Sequence, residues 1–217
     1  MTDARSTPTT RRRGRPGHDL ASVLAISVDV FNERGFDGTS MEDLAHRLGV
    51  SKSTIYHHIE SKEALLGLAL DQALTGLEEV ADDVRRLDGA AVDRLDALLR
   101  ASVHVLVDRL PYVTLLLRVR GNSEIERRAL ARRRRIDRLA AELVKEAVGD
   151  GDLRPGVDPV ITAHLLFGTV NSLTEWLKPG KSYDADRLAG AVSALAFDGL
   201  RMPAPGGPGV SETAVRR

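Results

Sequence analysis

Cysteine is absent from this chain of 217 residues, so disulfide bonds and metal sites built on thiolates are excluded. No apolar run approaches the roughly 20 residues that a helix needs to cross a bilayer. The N-terminal segment is basic but lacks the apolar core of a secretory signal. Because 42% of the residues are hydrophobic, the chain can bury a core unaided, and we expect a soluble, cytoplasmic protein of one or two domains with no membrane partner.

Patterns that accompany catalysis are missing as well. The sequence has no cluster of His, Asp and Glu at metal-ligand spacing, no glycine-rich phosphate loop and no Gly-x-Ser-x-Gly element. His46, His104 and His164 stand alone, and single histidines more often belong to a core or a surface than to a site. We therefore predict no enzyme activity, no catalytic residue, no metal and no cofactor.

Positive charge is concentrated at the start of the chain, although the formal net charge is +0. Prolines and glycines interrupt this segment and discourage regular structure, so residues 1–18 are predicted to form a disordered basic arm that lies along DNA phosphates. A solubilising tail is the alternative. The arginines concerned are Arg5, Arg11, Arg12, Arg13 and Arg15.

Apolar residues recur at helical spacing through most of the remaining chain, without strand-like alternation, and predict an all-α protein of nine helices. Leu20, Leu24, Val28 and Phe31 share one face of the first helix, which Gly35 ends. Further signals delimit the others: Ser40 with Asp43 opens the second helix and Gly49 ends it, Ser51 caps the third, and Ser61 opens a fourth of roughly 40 Å that continues to about Leu87.

The second half is predicted from similar signals. Leu95, Leu98, Leu99, Ser102 and Leu106 mark helix five, Pro111 opens helix six, and Gly121 breaks it. Ser123 with Glu126 begins helix seven, which runs to about Val148; Asp158 and Pro159 begin helix eight, which should end before Pro179; and helix nine covers Asp184 to Met202. Residues 203–217 are predicted to be disordered.

The stretch from Gly49 to Leu66 has the residue pattern of a helix-turn-helix unit, in which a short helix enters the DNA major groove. Residues 20–66 resemble the DNA-binding domain of TetR-family transcriptional regulators, with Ile59 where the family usually has phenylalanine. The matching positions are Gly35, Thr39, Ser40, Leu44, Ala45, Gly49, Val50, Ser51, Tyr56, His58, Ser61, Lys62, Glu63 and Leu65.

The resemblance implies a three-helix DNA-binding domain at residues 19–66 and a helical effector-binding and dimerisation domain at residues 67–202. It also implies a ligand-responsive homodimer that is most often a repressor of a palindromic double-stranded DNA operator. In such a protein a ligand in the bundle moves helix four, and the two recognition helices no longer match successive major grooves.

Short polar side chains at the start of the third helix suit base contacts, and donors at its edges suit phosphates. Ser51, Lys52, Ser53 and Thr54 are predicted near bases. In the family, the positions matching Thr39, Tyr56, His57 and Lys62 touch the DNA backbone. The alternative is that His57 and His58 are merely solvated and Ser51 is only a cap. Because residues 19–66 carry a net charge of −4, the arginine arm is expected to contribute strongly to DNA affinity.

Helix nine is rich in small residues that permit close packing. Together with apolar residues of helix eight, it is predicted to form a four-helix interface between two copies of the chain, as the resemblance also implies. An ordinary intramolecular core is the alternative. The predicted interface residues are Leu166, Leu173, Leu188, Val192 and Leu195.

A small-molecule effector would lie among helices four to eight. The apolar face of helix seven must also include Arg132 or Arg133, and an inward arginine needs an anion, either a ligand or an internal carboxylate such as Glu124, Asp137 or Glu142. Arg118 and Arg120 add positive charge at the end of helix six.

A second pattern lies near the C-terminus. Gly168, Asn171, Trp176, Pro179 and Gly180 are similar to TetR-type regulators of fatty-acid, aromatic-acid and steroid breakdown, some of which sense acyl-coenzyme A thioesters, although Leu177 replaces the usual tyrosine after the tryptophan. Arginines would bind the phosphates of such an effector, and an apolar interior would hold its acyl chain. A constitutive DNA-binding or architectural protein, or a regulator of a hydrophobic drug-like ligand, is the alternative. The predicted ligand residues are Arg118, Arg120, Arg132, Arg133, Phe167, Asn171 and Trp176.

Overall fold

The computed structural model describes residues 19–198. These residues form nine α-helices and one short 3-10 helix, which confirms the all-α prediction. The predicted arm with Arg11, Arg12, Arg13 and Arg15, the predicted end of helix nine at Met202 and the tail lie outside the described residues. The helices are α1 (Leu20–Arg34), α2 (Met41–Leu48), α3 (Lys52–His58), α4 (Lys62–Arg86), α5 (Ala91–Asp108), α6 (Leu110–Arg118), α7 (Glu124–Gly149), α8 (Pro159–Ser172) and α9 (Ala185–Phe197), with the 3-10 helix at Leu173–Glu175.

Residues 19–66, called the headpiece below, are organised by local signals at their helix ends. Ser40 and Asp43 make both hydrogen bonds of the predicted capping box at the start of α2. Gly49 takes the left-handed conformation after α2, at φ 67°, which a residue with a side chain adopts at a cost. Ser51 and Ser61 accept backbone N–H groups at the starts of α3 and α4. The predicted boundaries of these helices are therefore confirmed.

The core of the headpiece is built from large apolar side chains of each helix. Phe31 of α1, Leu44 of α2 and Ile55 of α3 are fully buried. Leu20, which was expected on the inward face of α1, is instead 40% exposed. It occupies the first turn of α1, whereas the buried residues of this helix begin at Val23, so the apolar spacing continues one turn beyond the part of the helix that the core covers.

Residues 67–198, called the bundle below, pack around α4, α5 and α7. The 25 residues of α4 span about 37 Å at 1.5 Å per residue, as expected from the sequence, and connect the headpiece with the bundle. Within the bundle α5 packs chiefly against α9, and α7 packs chiefly against α8 and α4. None of the helices in residues 19–198 is both long and apolar enough to cross a membrane.

The α8 and α9 side chains expected at a dimer interface are mostly turned inward. Leu166, Leu173 and Val192 are only 4 to 6% exposed and belong to the core of a single protomer, and Leu188 is half-buried. For these residues the intramolecular alternative holds, because within one protomer α8 already packs against α7 and α9 against α5. The large apolar residues of α8 and α9 that remain exposed are Val160, Ile161, Leu165 and Leu195, at 56, 59, 67 and 74%.

Candidate DNA-binding and effector sites

The exposed face of α3 presents polar side chains near its N-terminus. The Ser51 hydroxyl accepts the Thr54 N–H and lies 2.8 Å from the Ser53 Oγ and 2.9 Å from the Thr54 Oγ1. Lys52 forms an ion pair with Glu42 of α2 at the surface. This arrangement presents hydroxyl groups and a cation on a helix narrow enough to enter a major groove.

Tyr56 and His57 follow on the same short helix and face outward. Tyr56 is 49% exposed, and neither side chain makes a hydrogen bond or ion pair within residues 19–198. An exposed phenol that contributes nothing to the protein's own core is free to donate to a phosphate oxygen. Their placement is compatible with the predicted contacts to the DNA backbone.

Thr39 and Lys62, two other predicted phosphate contacts, hold the headpiece together in this structure. Thr39 is 2% exposed, and its hydroxyl donates to the Gly35 carbonyl at 2.7 Å. The Lys62 ammonium donates to the carbonyls of Phe36 and Thr39 at 2.9 and 2.8 Å and lies 4.3 Å from the centre of the Phe36 ring. These contacts tie the α1–α2 connection to the start of α4, a structural task that the local sequence did not reveal.

An inner cavity lies between α4, α5, α6, α7 and α8, as the sequence predicted for an effector. The centre of a water molecule can occupy a volume of about 30 Å³ in this cavity, which is enough for one or two waters. A larger ligand must therefore push the lining side chains apart. The walls are mainly apolar. They comprise Leu77, Leu106, Val113, Leu116, Leu117, Ile136, Phe167 and Val170, with the polar groups Ser102, Arg133, Asp137 and Asn171.

A polar surface groove adjoins this cavity, and we call it the arginine groove. Leu117, Arg133 and Asn171 line both spaces, so they form the neck between them. The remaining groove residues are Thr114, Arg118, Arg120, Ser172, Thr174 and Glu175. The predicted ligand residues Arg118, Arg120, Arg133, Phe167 and Asn171 therefore line the cavity or the adjoining groove, whereas Trp176, 53% exposed, lines neither.

Adjacent arginines of α7 have different surroundings. Arg132 forms a bidentate pair with Glu78 of α4, at 2.9 and 2.7 Å, and a further ion pair with Asp71. The hydrogen bonds from Arg132 hold the pKa of Glu78 below its ordinary value. For Arg132 an internal salt bridge therefore takes the place of the expected ligand, with carboxylates of α4 rather than the three proposed from the sequence.

Arg133 has no comparable partner. Its side chain is half-buried at the neck, and it makes no hydrogen bond or ion pair with any residue between 19 and 198. Arg133 attracts the Asp137 carboxylate at longer range without bonding to it, so the donors of its guanidinium, which can fit an anion bidentately, remain available. The neck thus presents one cation that is available to a ligand.

The groove is joined to the headpiece by a pair of hydrogen bonds, called the α1–α6 clasp below. The Asn32 side-chain amide of α1 donates to the Pro111 carbonyl at 2.8 Å, and the Arg118 guanidinium donates to the Asn32 carbonyl. The clasp therefore connects both ends of α6 to the last turn of α1. Neither the periodicity nor the capping signals indicated this contact, because its partners are 79 and 86 residues apart.

Glu126 orders the loop that carries Arg120. Its carboxylate accepts the backbone N–H groups of Arg120, Gly121 and Asn122 at 2.9, 2.8 and 3.1 Å. Burial by itself raises the pKa of Glu126, but these three donors outweigh it and leave the pKa below the ordinary value of 4.5. The sequence predicted the capping box with Ser123, which is present, but not the loop contacts.

Family models match both parts of the chain. The model described as "Bacterial regulatory proteins, tetR family" matches residues 23–69, and the model of the "Tetracyclin repressor-like, C-terminal domain" matches residues 88–200. The second match alone covers more than half of the chain.

Known proteins with similar sequences and structures agree. The transcriptional repressor KstR2 of Rhodococcus jostii is 25% identical over 94% of this chain and 99% of its own length. A solved member of the TetR transcriptional regulator family from Streptomyces coelicolor A3 is 46% identical, with a TM-score of 0.76 over 83% of this chain and 91% of that one.

A further solved structure contains both ligand and DNA. The protein AibR, solved in complex with isovaleryl coenzyme A and operator DNA, is 27% identical, with a TM-score of 0.68 over 82% of this chain and 97% of that one. Together with the helix-turn-helix geometry, the matches establish that the chain belongs to the TetR family of bacterial transcriptional regulators.

Proposed function

We propose that this DNA-binding regulator acts in the cytoplasm as a homodimeric repressor, and that an acyl-coenzyme A thioester releases it from its operator. One observation carries the choice of effector: the unpaired Arg133 stands at the neck between an apolar cavity and a groove lined by further arginines. An acyl chain suits the cavity, and the phosphates of coenzyme A suit the arginines outside it. The similar protein AibR was solved with such a thioester, which supports the same class of ligand.

The headpiece performs the DNA recognition in this proposal. Ser51, Lys52, Ser53 and Thr54 approach base edges, while Tyr56 and His57 bind flanking phosphates. The arginine arm supplies positive charge that residues 19–66 lack. Thr39 and Lys62 hold the connection between α1 and α2 against the start of α4. Either side chain would have to break its present hydrogen bonds to contact a phosphate directly.

Dimerisation is assigned to the outward apolar face of α8 and α9. Ile161, Leu165 and Leu195 expose most of their side chains, and burying them against a second copy removes this surface from water. A two-fold dimer presents two recognition helices to a palindromic operator. Leu165→Glu with Leu195→Glu should yield a monomer in light scattering at micromolar concentration; a monomeric unsubstituted protein would exclude the dimer.

Release follows from the helices that surround the inner cavity. Leu77 belongs to α4, and Val113 and Leu116 belong to α6, so an acyl chain that enlarges the cavity displaces both helices. The displacement reaches the headpiece directly through α4 and through the α1–α6 clasp. Since coupling is reciprocal, the effector must bind more tightly to the conformation that does not fit DNA.

The test begins with the operator. Binding sites selected from random DNA give a labelled duplex, and fluorescence anisotropy follows its release as coenzyme A thioesters of increasing acyl length are added. We expect release at micromolar thioester, and at least about tenfold weaker release for Arg133→Ala because a charge-assisted contact is lost.

Arg135→Ala is the matched control, since it removes the same charge from an exposed residue of the same helix that lines neither the cavity nor the arginine groove. It should leave the thioester concentration for half-release within about twofold. Equal losses in the two variants would contradict the role of Arg133. Release by uncharged apolar compounds but by no thioester would instead identify a regulator of hydrophobic ligands.

A further inference from the structure

Asp137 is a titratable side chain of the inner cavity that the release mechanism above does not use. It lies on α7 four residues after Arg133, which places it about 6 Å further along the helix axis on nearly the same face. Both residues line the cavity, but Arg133 also lines the arginine groove. A ligand that enters from the groove therefore meets Arg133 first and Asp137 next.

The carboxyl group of Asp137 is not directly bonded to any other side chain of residues 19–198. It makes no hydrogen bond and no ion pair with any residue in the described range 19–198, although Arg133, Arg134, Arg138 and His164 all attract it at longer range. Burial nevertheless raises the pKa of Asp137 above its ordinary value, so the apolar surroundings outweigh these cations. A carboxyl in such a wall is unfavourable unless a donor satisfies it.

A saturated acyl chain cannot provide that donor. Filling the cavity with hydrocarbon would exclude water from the Asp137 carboxyl and offer it no hydrogen bond in return. An acyl group with a hydroxyl fills the same space and donates to the carboxyl. A site with an inward polar group discriminates strongly against ligands that lack the hydrogen-bonding group it needs. An apolar wall, by contrast, barely distinguishes a ligand with a hydroxyl from the same ligand without one.

We propose that Asp137 binds a hydroxyl group on the acyl part of the effector, so that the controlling thioester is a hydroxyacyl-coenzyme A rather than a plain fatty acyl-coenzyme A. This inference rests on the proposed function, in which a thioester enters the bundle. Arg133 recognises the anionic end of the ligand, and Asp137 selects among acyl groups. Ser102 and Asn171 line the same cavity and offer further hydrogen bonds to an oxygenated chain.

The experiment compares thioesters that differ by one hydroxyl group. Hexanoyl-, 3-hydroxyhexanoyl- and 6-hydroxyhexanoyl-coenzyme A are titrated into the full-length dimer by calorimetry and into its operator complex by anisotropy. At least one hydroxylated thioester should bind about tenfold or more tightly than hexanoyl-coenzyme A, because an unpaired carboxyl penalises the plain chain. Asp137→Leu should remove this preference and bind hexanoyl-coenzyme A more tightly than the unsubstituted protein does.

Glu142→Gln serves as the matched control, since Glu142 is an exposed acid on the same helix, and it should retain the hydroxyl preference. Asp137→Asn keeps an acceptor and should retain part of it, which separates hydrogen bonding from charge. If all three thioesters bind alike, or if Asp137→Leu keeps the preference, the role of Asp137 is wrong while the thioester proposal stands. If no thioester binds, the proposed effector class itself fails and this inference fails with it.

Discussion

In the headpiece, the groups proposed to face DNA are carried by one short helix, whereas in the bundle the contacts around the proposed effector site join helices that are far apart in the chain. Ser51 to His57 are consecutive residues, and the Ser51 hydroxyl caps α3 by accepting the backbone N–H of Thr54, three positions later. Arg132 and Glu78 are 54 positions apart, and Asn32 and Arg118 are 86 apart. A recognition surface on one helix can therefore be specified locally, while the availability of an arginine in the bundle depends on which distant carboxylates pair with it.

The largest effect is expected on the recognition helix. The double variant Tyr56→Ala with His57→Ala should weaken operator binding by about 100-fold, since each lost hydrogen bond to a charged phosphate contributes about tenfold. The melting temperature should stay within about 2 °C because neither side chain supports the core. Anisotropy with labelled operator measures the first quantity. His46→Ala, an exposed change on α2, is the control, and equal weakening there would show that the assignment to α3 is wrong.

Substitution of Glu126 tests whether the stability of the bundle depends on a charged contact as strongly as the stability of the headpiece depends on its helix caps. Glu126→Gln should lower the free energy of unfolding by about 2 kcal/mol at neutral pH, because the three N–H donors lose their carboxylate. The lowered pKa of Glu126 means that its stabilisation is present above pH 4.5 and is lost as the pH falls further. Urea denaturation at pH 7 and pH 3.5 should show a gap between the proteins that narrows in acid; a constant gap would contradict this origin.

Deletion of residues 1–15 compares the arm with the headpiece it adjoins. We expect about tenfold weaker operator binding and a flatter dependence on salt, since up to five arginines would each release about one counterion on binding a phosphate. Binding isotherms between 50 and 300 mM salt give the slope. An unchanged slope would assign all phosphate contacts to the headpiece.

Arg132 and Arg133 sharpen the comparison within the bundle. Arg132→Ala should reduce the free energy of unfolding by about 1 kcal/mol, because Glu78 and Asp71 lose a partly buried partner. Arg133→Ala should change it by less than about 0.5 kcal/mol, since no ion pair within residues 19–198 is broken. Chemical denaturation of both variants decides this, and equal destabilisation would mean that Arg133 is a structural residue.

The smallest effect is expected at the α1–α6 clasp. Asn32→Ala removes the hydrogen bond to the Pro111 carbonyl and should leave operator affinity within about twofold, while a few-fold more thioester is needed for half-release. Asn122→Ala, an exposed asparagine on the α6–α7 loop, should leave both quantities unchanged. An unaltered release curve for Asn32→Ala would assign the coupling to α4 alone.

The boundaries of most helices followed from short signals, since Ser40 with Asp43, Gly49 and Ser123 with Glu126 act within three or four positions. Errors arose where a face had to be assigned to a particular neighbour. The spacing of Leu20 fits the apolar face of α1 and predicts an inward side chain, and the small residues of α9 together with the apolar residues of α8 predict Leu166 and Val192 at a subunit interface. Helical periodicity identifies an apolar stripe but not the helix that covers it.

The chain by itself determined the all-α architecture, the helix-turn-helix geometry and the polar character of the recognition helix, because caps, turn glycines and periodicity act over one or two helical turns. Only the tertiary structure decided which arginine of α7 is paired, which α8 and α9 side chains remain exposed, and which residues surround the inner cavity. These outcomes depend on contacts between helices, and adjacent residues of one helix point in directions about 100° apart. Arg132 therefore meets the carboxylates of α4, while Arg133 meets the neck of the cavity.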